Sequence, residues 1–239
     1  MRDLPVLGVV RAGHLKELFT FSNATDSRSL PFFERPLIFD AIEDADSFSN
    51  GISATNQFFD NRLNLLLGFY RTGTRTGAFD VGNGRYAFDQ RICYFPLLDQ
   101  DNQRWMVFGA SGSVRTLPYD TFETANGLTF LPNITFFSRP LVRTGSGVSS
   151  PRIISTPMLF SDSGQGIFGL SAQGALGPWT FGGEYLASCL RSAYLNSLPG
   201  YGTINGRPIQ SVGPLFYRRV LCASFALSHT WRPSTRGRG

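Results

Sequence analysis

The sequence predicts an all-β fold of about ten antiparallel strands in the pattern of a transmembrane β-barrel. Three observations lead there. Apolar and polar residues alternate with period two through several segments of about ten residues. The connections between those segments are alternately short and long, as in membrane barrels. No segment holds a 3.6-residue apolar period or a run of ~18 apolar residues, which leaves no amphipathic or membrane-spanning helix to build with.

The strands follow in order. Residues 52–59 and 62–71 are joined by a tight turn at Asp60-Asn61. In the second, Leu63, Leu65, Leu67 and Phe69 share one face; Asn64, Gly68 and Tyr70 share the other, with Leu66 as the exception. After a long polar loop at 72–84, Tyr86, Phe88, Ile92 and Tyr94 oppose Arg85, Asp89 and Arg91. A short connection at 99–103 leads to Phe108, Ala110, Gly112 and Val114, which oppose Ser111, Ser113 and Arg115. A long loop is expected at 117–131, a short turn at 174–178 and another long loop at 190–208. Between the last two, Trp179, Phe181, Tyr185 and Ala187 oppose Thr180, Glu184 and Ser188. Residues 145–166 fit least well, because the connection at 161–165 should be long and is short. Phe58, Phe59, Tyr70, Tyr94, Phe95, Trp105 and Trp179 stand near strand ends, where a barrel places its interfacial aromatic girdles. A soluble β-sandwich alternates in the same way, so pattern alone leaves the solvent open.

Composition is consistent with strands. Glycine (26), phenylalanine (22) and proline (14) are plentiful, charged residues amount to 16%, and Lys16 is the only lysine. The net charge of +5 lies in the tail: Arg218, Arg219, Arg232, Arg236 and Arg238 face no acid, and residues 1–217 balance at 17 basic against 17 acidic. Bulk charge therefore indicates no nucleic-acid partner for the body of the chain. Cys93, Cys189 and Cys222 are odd in number and match neither a zinc site nor a disulfide framework.

Catalytic chemistry is not visible. His14 and His229 are the only histidines, and neither has a nucleophile or carboxylate at a motif spacing. Gly145-Ser146-Gly147 and residues 161–164 (SDSG) are turn sequences with no helix after them, not phosphate loops. Glu43, Asp44 and Asp46 suit a hard cation by type but read better as a solvated loop, and no cofactor is expected.

Specific words narrow the class. Val10-Arg11-Ala12-Gly13-His14-Leu15-Lys16-Glu17, followed by Leu30-Pro31-Phe32-Phe33-Glu34-Arg35-Pro36-Leu37, resembles the R-V-G-H-F-K-E-P-F … F-M-E-R block of the phosphate-selective porin O and P family. Residues 104–115 (RWMVFGASGSVR) are similar to its H-L-G-A-S-x-S-x-R strand. Leu176-Gly177-Pro178-Trp179 through Glu184-Tyr185 are similar to its L-G-P … E-Y hairpin. The likeness runs over residues 4–216, with Leu18 standing where the family usually has proline. It implies a trimeric barrel in the bacterial outer membrane, in contact with its lipid, passing phosphate or other small anions through an arginine-lined lumen. It also implies that the chain is partial, about ten strands of a larger porin barrel, that it begins well inside that barrel, which accounts for the lack of a signal peptide, and that residues 1–217 are the barrel segment. Residues 218–239 are expected to be a basic, disordered or out-of-frame tail: codons for residues 220–228 can be chosen so that a one-nucleotide shift reads F-Y-A-Q-A-S-L-Y-L, close to the family's Y-x-Q-A-S-Y-F-L-T strand.

Strand phase then gives a pore lining. Arg85, Asp89, Arg91, Ser111, Ser113, Arg115 and Glu184, together with Arg11 opposite Val10 and Ala12, are expected to face the lumen, because a guanidinium facing lipid at mid-depth costs about 2–4 kcal/mol. Two other functions remain open at this point: a soluble carbohydrate-binding β-sandwich, and an adhesion barrel acting through its long loops.

Overall fold

Alternating residues need a sheet with two unlike faces, and the chain forms one. The structure, a computed structural model, describes residues 2–4, 7–25, 48–72, 86–99, 104–124, 127–138, 152, 154–177, 179–204 and 206–217. Arg85, the expected loop beyond residue 72, the 30–37 word, the Glu43–Asp46 acids, Gly145-Ser146-Gly147 and the whole 218–239 tail lie outside them. Strands β1 (Arg2–Leu4), β2 (Gly8–Lys16), β3 (Phe48–Phe58), β4 (Leu63–Arg71), β5 (Tyr86–Asp99) and β6 (Arg104–Arg115) are consecutive antiparallel neighbours, with one helical turn, α1 (Phe21–Ala24), between β2 and β3. Next come β7 (Tyr119–Thr124), β8 (Gly127–Ile134), β9 (Phe137–Ser138), β10 (Ile154–Ser155) and β11 (Leu159–Phe160). Then follow β12 (Gln165–Leu176), β13 (Trp179–Leu195) and β14 (Gln210–Tyr217). Among the described residues no helix is long and apolar enough to cross a membrane.

The wall does not run straight through the sequence. Strand β6 pairs with β12, in register from Arg115↔Gln165 to Arg104↔Leu176, and β12 pairs with β13 from Gln165↔Leu190 to Leu176↔Trp179. The described residues between 117 and 160 are therefore an excursion from one end of the wall. They return to it where Phe160 of β11 meets Tyr194 of β13. Two small apolar clusters hold the excursion down. One joins Leu117, Phe136 and Leu159 to Leu190 and Ala193, and the other joins Leu131 and Phe160 to Leu198.

These features correct two expectations. Residues 117–131 are not an open loop but largely the β7–β8 hairpin, paired from Tyr119↔Pro132 to Thr124↔Gly127. Its Leu131 is fully buried, so apolar burial holds the hairpin where polar turn residues alone suggested a loop. Likewise β13 runs on to Leu195, taking up the first six residues of the loop expected at 190–208. The misfit at 161–165 now has a cause: the strand before it, β11, belongs to the excursion and not to the wall.

The short turn at Asp60-Asn61 is as expected, while of the 99–103 connection only Asp99 is among the described residues. At residues 59–62 the chain reverses through Phe59, Asp60 and Asn61, all with left-handed φ of 54°, 53° and 66°, and Arg62 N–H donates to the Phe59 carbonyl at 3.1 Å. Asn and Asp tolerate that region, which is why Asp60-Asn61 is readable as a turn. Gly177, at φ 63°, opens the β12–β13 hairpin. Among the described residues the sheet does not close on itself.

Candidate functional site

The two faces of the sheet are inverted relative to a soluble protein. Ile52, Phe69, Phe88, Ile92, Phe108, Val114, Phe168 and Leu170 are exposed, and they share one face across five strands. On the opposite face Ser49, Ser53, Asp89, Ser113, Gln165, Gln173 and Ser188 are buried. A β-sandwich packs its apolar face inward and wets the polar one, so this arrangement fits a wall with lipid outside and a polar interior.

Cross-strand register defines the polar face row by row. One row runs Arg11–Ser53–Gly68–Asp89–Ser113–Ile167–Ser188, and the next runs Thr55–Leu66–Arg91–Ser111–Gly169–Leu186. Arg11, Asp89, Arg91, Ser111, Ser113, Arg115 and Glu184 thus share one face of the sheet, the polar one.

What that phase could not show is a segment laid across this face. After β2 the chain leaves the wall at Glu17 and crosses it as residues 17–25. Ser49 Oγ donates to Glu17 Oε1 at 2.6 Å. Arg115 Nη2 lies 3.2 Å from Glu17 Oε2 and 3.4 Å from Asp89 Oδ1. The guanidinium also stands 4.9 Å from the centre of the Phe19 ring. Farther along, Arg91 Nη1 donates to the Thr20 carbonyl at 2.9 Å, and the Phe21 N–H donates to Glu184 Oε1 on β13 at 2.7 Å. The turn α1 is capped by Thr20, whose hydroxyl accepts from Asn23 N–H at 3.1 Å. From Ser49 on β3 to Glu184 on β13 the segment bridges five inter-strand spacings, roughly 24 Å of wall.

The predicted residues divide into two groups. Arg115, Asp89 and Ser113 form a buried cluster with Glu17: Arg115 Nε donates to Ser113 Oγ at 3.0 Å, and Asp89 is fully buried, its Oδ2 without a hydrogen-bond partner among the described residues. Asp89 is therefore covered by its partners and not open to the interior as a free charge. Arg91 and Arg11 differ. Arg91 donates through Nε to Cys93 Sγ at 3.1 Å and stacks over Phe21, with no carboxylate partner among the described residues. Arg11 Nε is buried with no acceptor among them.

Three aromatic residues depart from the expected girdle. Tyr70 is fully buried on the inner face, its ring packed against the Cα positions of Gly51 and Gly68. Phe95 and Trp105 also line interior space beside the crossing segment. Phe58, Phe59, Tyr94 and Trp179 remain exposed, as an interfacial position requires. Sequence reasoning missed Glu17, Phe19, Thr20, Phe21, Asn23 and Ser49. The available signal was the end of alternation at Lys16 followed by a capping pattern, Thr20 with Asn23 three positions on.

A polar inner face, an apolar outer face and strands joined by tight turns describe the wall of an outer-membrane channel. The family model of phosphate-selective porin O and P matches residues 7–203. The chain belongs to this family. Its members are outer-membrane porins, so neither an enzyme nor a soluble sugar-binding sandwich is favoured for this porin. No curated protein and no solved structure shows significant similarity to it.

Proposed function

We propose that this porin is a passive diffusion channel for small anions, with a mild anion preference set by Arg11 and Arg91. The supporting observation is the unequal pairing of its arginines. Arg115 is neutralised and held by Glu17 and Asp89, so it braces the crossing segment. Arg91 keeps its positive charge uncompensated by any carboxylate among the described residues, and Arg11 does the same. Fixed guanidinium charge on a polar wall raises the local concentration of anions, and its planar donors suit phosphate oxygens. Glu184 on the same face tempers that field, so preference and not strict phosphate selectivity is expected. Residues 1–217 act as the channel segment, bathed in outer-membrane lipid, within a homotrimer; the 218–239 tail has no part in conduction.

The test is a reversal potential in planar bilayers under a salt gradient. Arg91→Ala and Arg11→Ala should each move it toward that of an unselective pore. Ser113→Ala, which keeps every charge of the Arg115 cluster, should leave it nearly unchanged. Equal potentials for the wild type and for all three variants would remove the selectivity role, and absence of any current would remove the channel.

A further inference from the structure

The interior holds a cavity whose lining is not that of a site for inorganic phosphate. It has a volume of about 640 Å³ and lies beside the crossing segment, toward the end of the sheet where β3 turns into β4. Its walls are of two kinds. Arg11, Arg91 and the Asn64 amide supply charge and polar atoms, while Phe21, Phe95 and Trp105 supply aromatic surface. Two polar atoms of that lining are buried without a hydrogen-bond partner among the described residues: Arg11 Nε, a donor, and Asn64 Oδ1, an acceptor. A buried group left unsatisfied carries its full desolvation cost, so both favour a ligand that supplies the missing partner.

We propose that this cavity binds an arylcarboxylate carrying a ring hydroxyl, a proposal that rests on the channel reading above and names the solute class. The carboxylate answers the two guanidinium charges and accepts from the Arg11 Nε–H. The ring lies against Phe21, Phe95 and Trp105, where aromatic faces favour offset or edge contacts. The hydroxyl donates to Asn64 Oδ1. Inorganic phosphate offers an anion and a P–OH donor but no ring, and against the aromatic wall it loses hydration that nothing replaces. The volume is in the range of small-molecule sites, far more than one phosphate needs.

The experiment uses the full chain folded in detergent micelles, titrated calorimetrically with 4-hydroxybenzoate, acetate and inorganic phosphate, and the same preparation in bilayers. 4-Hydroxybenzoate should bind on the order of tenfold or more tighter than acetate, because acetate buries no ring. Phosphate should be as weak as acetate. Arg11→Gln should reduce 4-hydroxybenzoate to the acetate level; Trp105→Leu, which keeps the wall apolar, should weaken 4-hydroxybenzoate and leave acetate unchanged. Equal affinity for 4-hydroxybenzoate and acetate, or tighter binding of phosphate than of either, would overturn the proposal. Anion-selective currents without arylcarboxylate binding overturn it and leave the channel intact. Binding without currents supports it and overturns the channel reading instead.

Discussion

Nη2 of Arg115 lies 3.2 Å from Oε2 of Glu17, tying the last residue of β6 to the first residue after β2 across 98 positions of sequence. The side chains of Arg115, Glu17 and Asp89 are 12%, 2% and 0% exposed, so the cluster is all but removed from water. Breaking such a cluster is costly chiefly because of the charge it strands. Arg115→Ala leaves two buried carboxylates facing each other and should lower stability by about 3–5 kcal/mol. Glu17→Gln keeps an acceptor for Ser49 and leaves Arg115 paired with Asp89, so its cost should be much smaller. Urea unfolding of the chain in lipid vesicles checks the order, and equal midpoints for the two variants would refute it.

A second stability prediction concerns the inner face between β3 and β4. Tyr70 folds its ring over Gly68 on its own strand and against Gly51 on the neighbour, where any Cβ would collide with the ring. Gly68→Ala forces the ring off its position and should cost ~1–3 kcal/mol, as overpacking does. Tyr70→Ala on the Gly68→Ala background should recover little, since the void replaces the clash. Thermal unfolding of the single and double variants measures both.

The fold was legible in the sequence where the chain is periodic. Strands β4, β5, β6 and β13 were readable with the correct faces, because a period of two fixes every side chain once one is placed. That reasoning put Arg11, Arg91 and Arg115 on the inner face but could not distinguish them. What separates them is the crossing segment, which is aperiodic and makes its contacts at separations such as 71 for Arg91 with Thr20 and 163 for Phe21 with Glu184. The excursion at 117–160 was missed for a related reason. Its pairing with β13 is set by Leu131 and Phe160 packing on Leu198, a tertiary contact with no local signature.

The two described cysteines report the orientation of the wall. Cys93 shares the inner face with Arg91, whereas Cys189 lies on the outer face with Ala187 and Tyr185. In a Cys222→Ser background reconstituted in vesicles, a charged, water-soluble thiol reagent should modify Cys93 and spare Cys189, which lipid covers. A bilayer-soluble maleimide should reach Cys189. Mass spectrometry of tryptic peptides reads the outcome, and preferential labelling of Cys189 by the charged reagent would invert the barrel assignment.

Charge placed on the outer face gives an independent check. Leu170 is exposed near the middle of β12, on the face shared with Phe168 and opposite Gly169 and Ser171. Leu170→Arg should cost about 2–4 kcal/mol in a bilayer, the depth-dependent penalty for arginine near the midplane of a barrel wall. Leu170→Phe should be nearly neutral. Folding yield into vesicles distinguishes them, and an unaffected Leu170→Arg would mean that this face meets water.

The hold of the crossing segment on the far wall should set conductance. At its distal end the segment is fixed by the Phe21 N–H donating to Glu184 at 2.7 Å, by Arg91 donating to the Thr20 carbonyl, and by the Thr20 cap on α1. The helical turn is only four residues long, too short to persist without these anchors. Glu184→Ala removes the carboxylate that receives Phe21 and also removes a negative charge from the inner face. Two effects should follow together: a larger and noisier single-channel conductance, because the segment samples positions away from β13, and a stronger anion preference, because Arg91 loses an opposing charge nearby. Glu184→Gln separates them, keeping an acceptor for the Phe21 N–H while removing the charge. It should raise anion preference with conductance noise close to wild type, and the preference should weaken at high salt as screening shortens the reach of Arg91. Noise as large in Glu184→Gln as in Glu184→Ala would show that charge, and not the hydrogen bond, holds the segment in place.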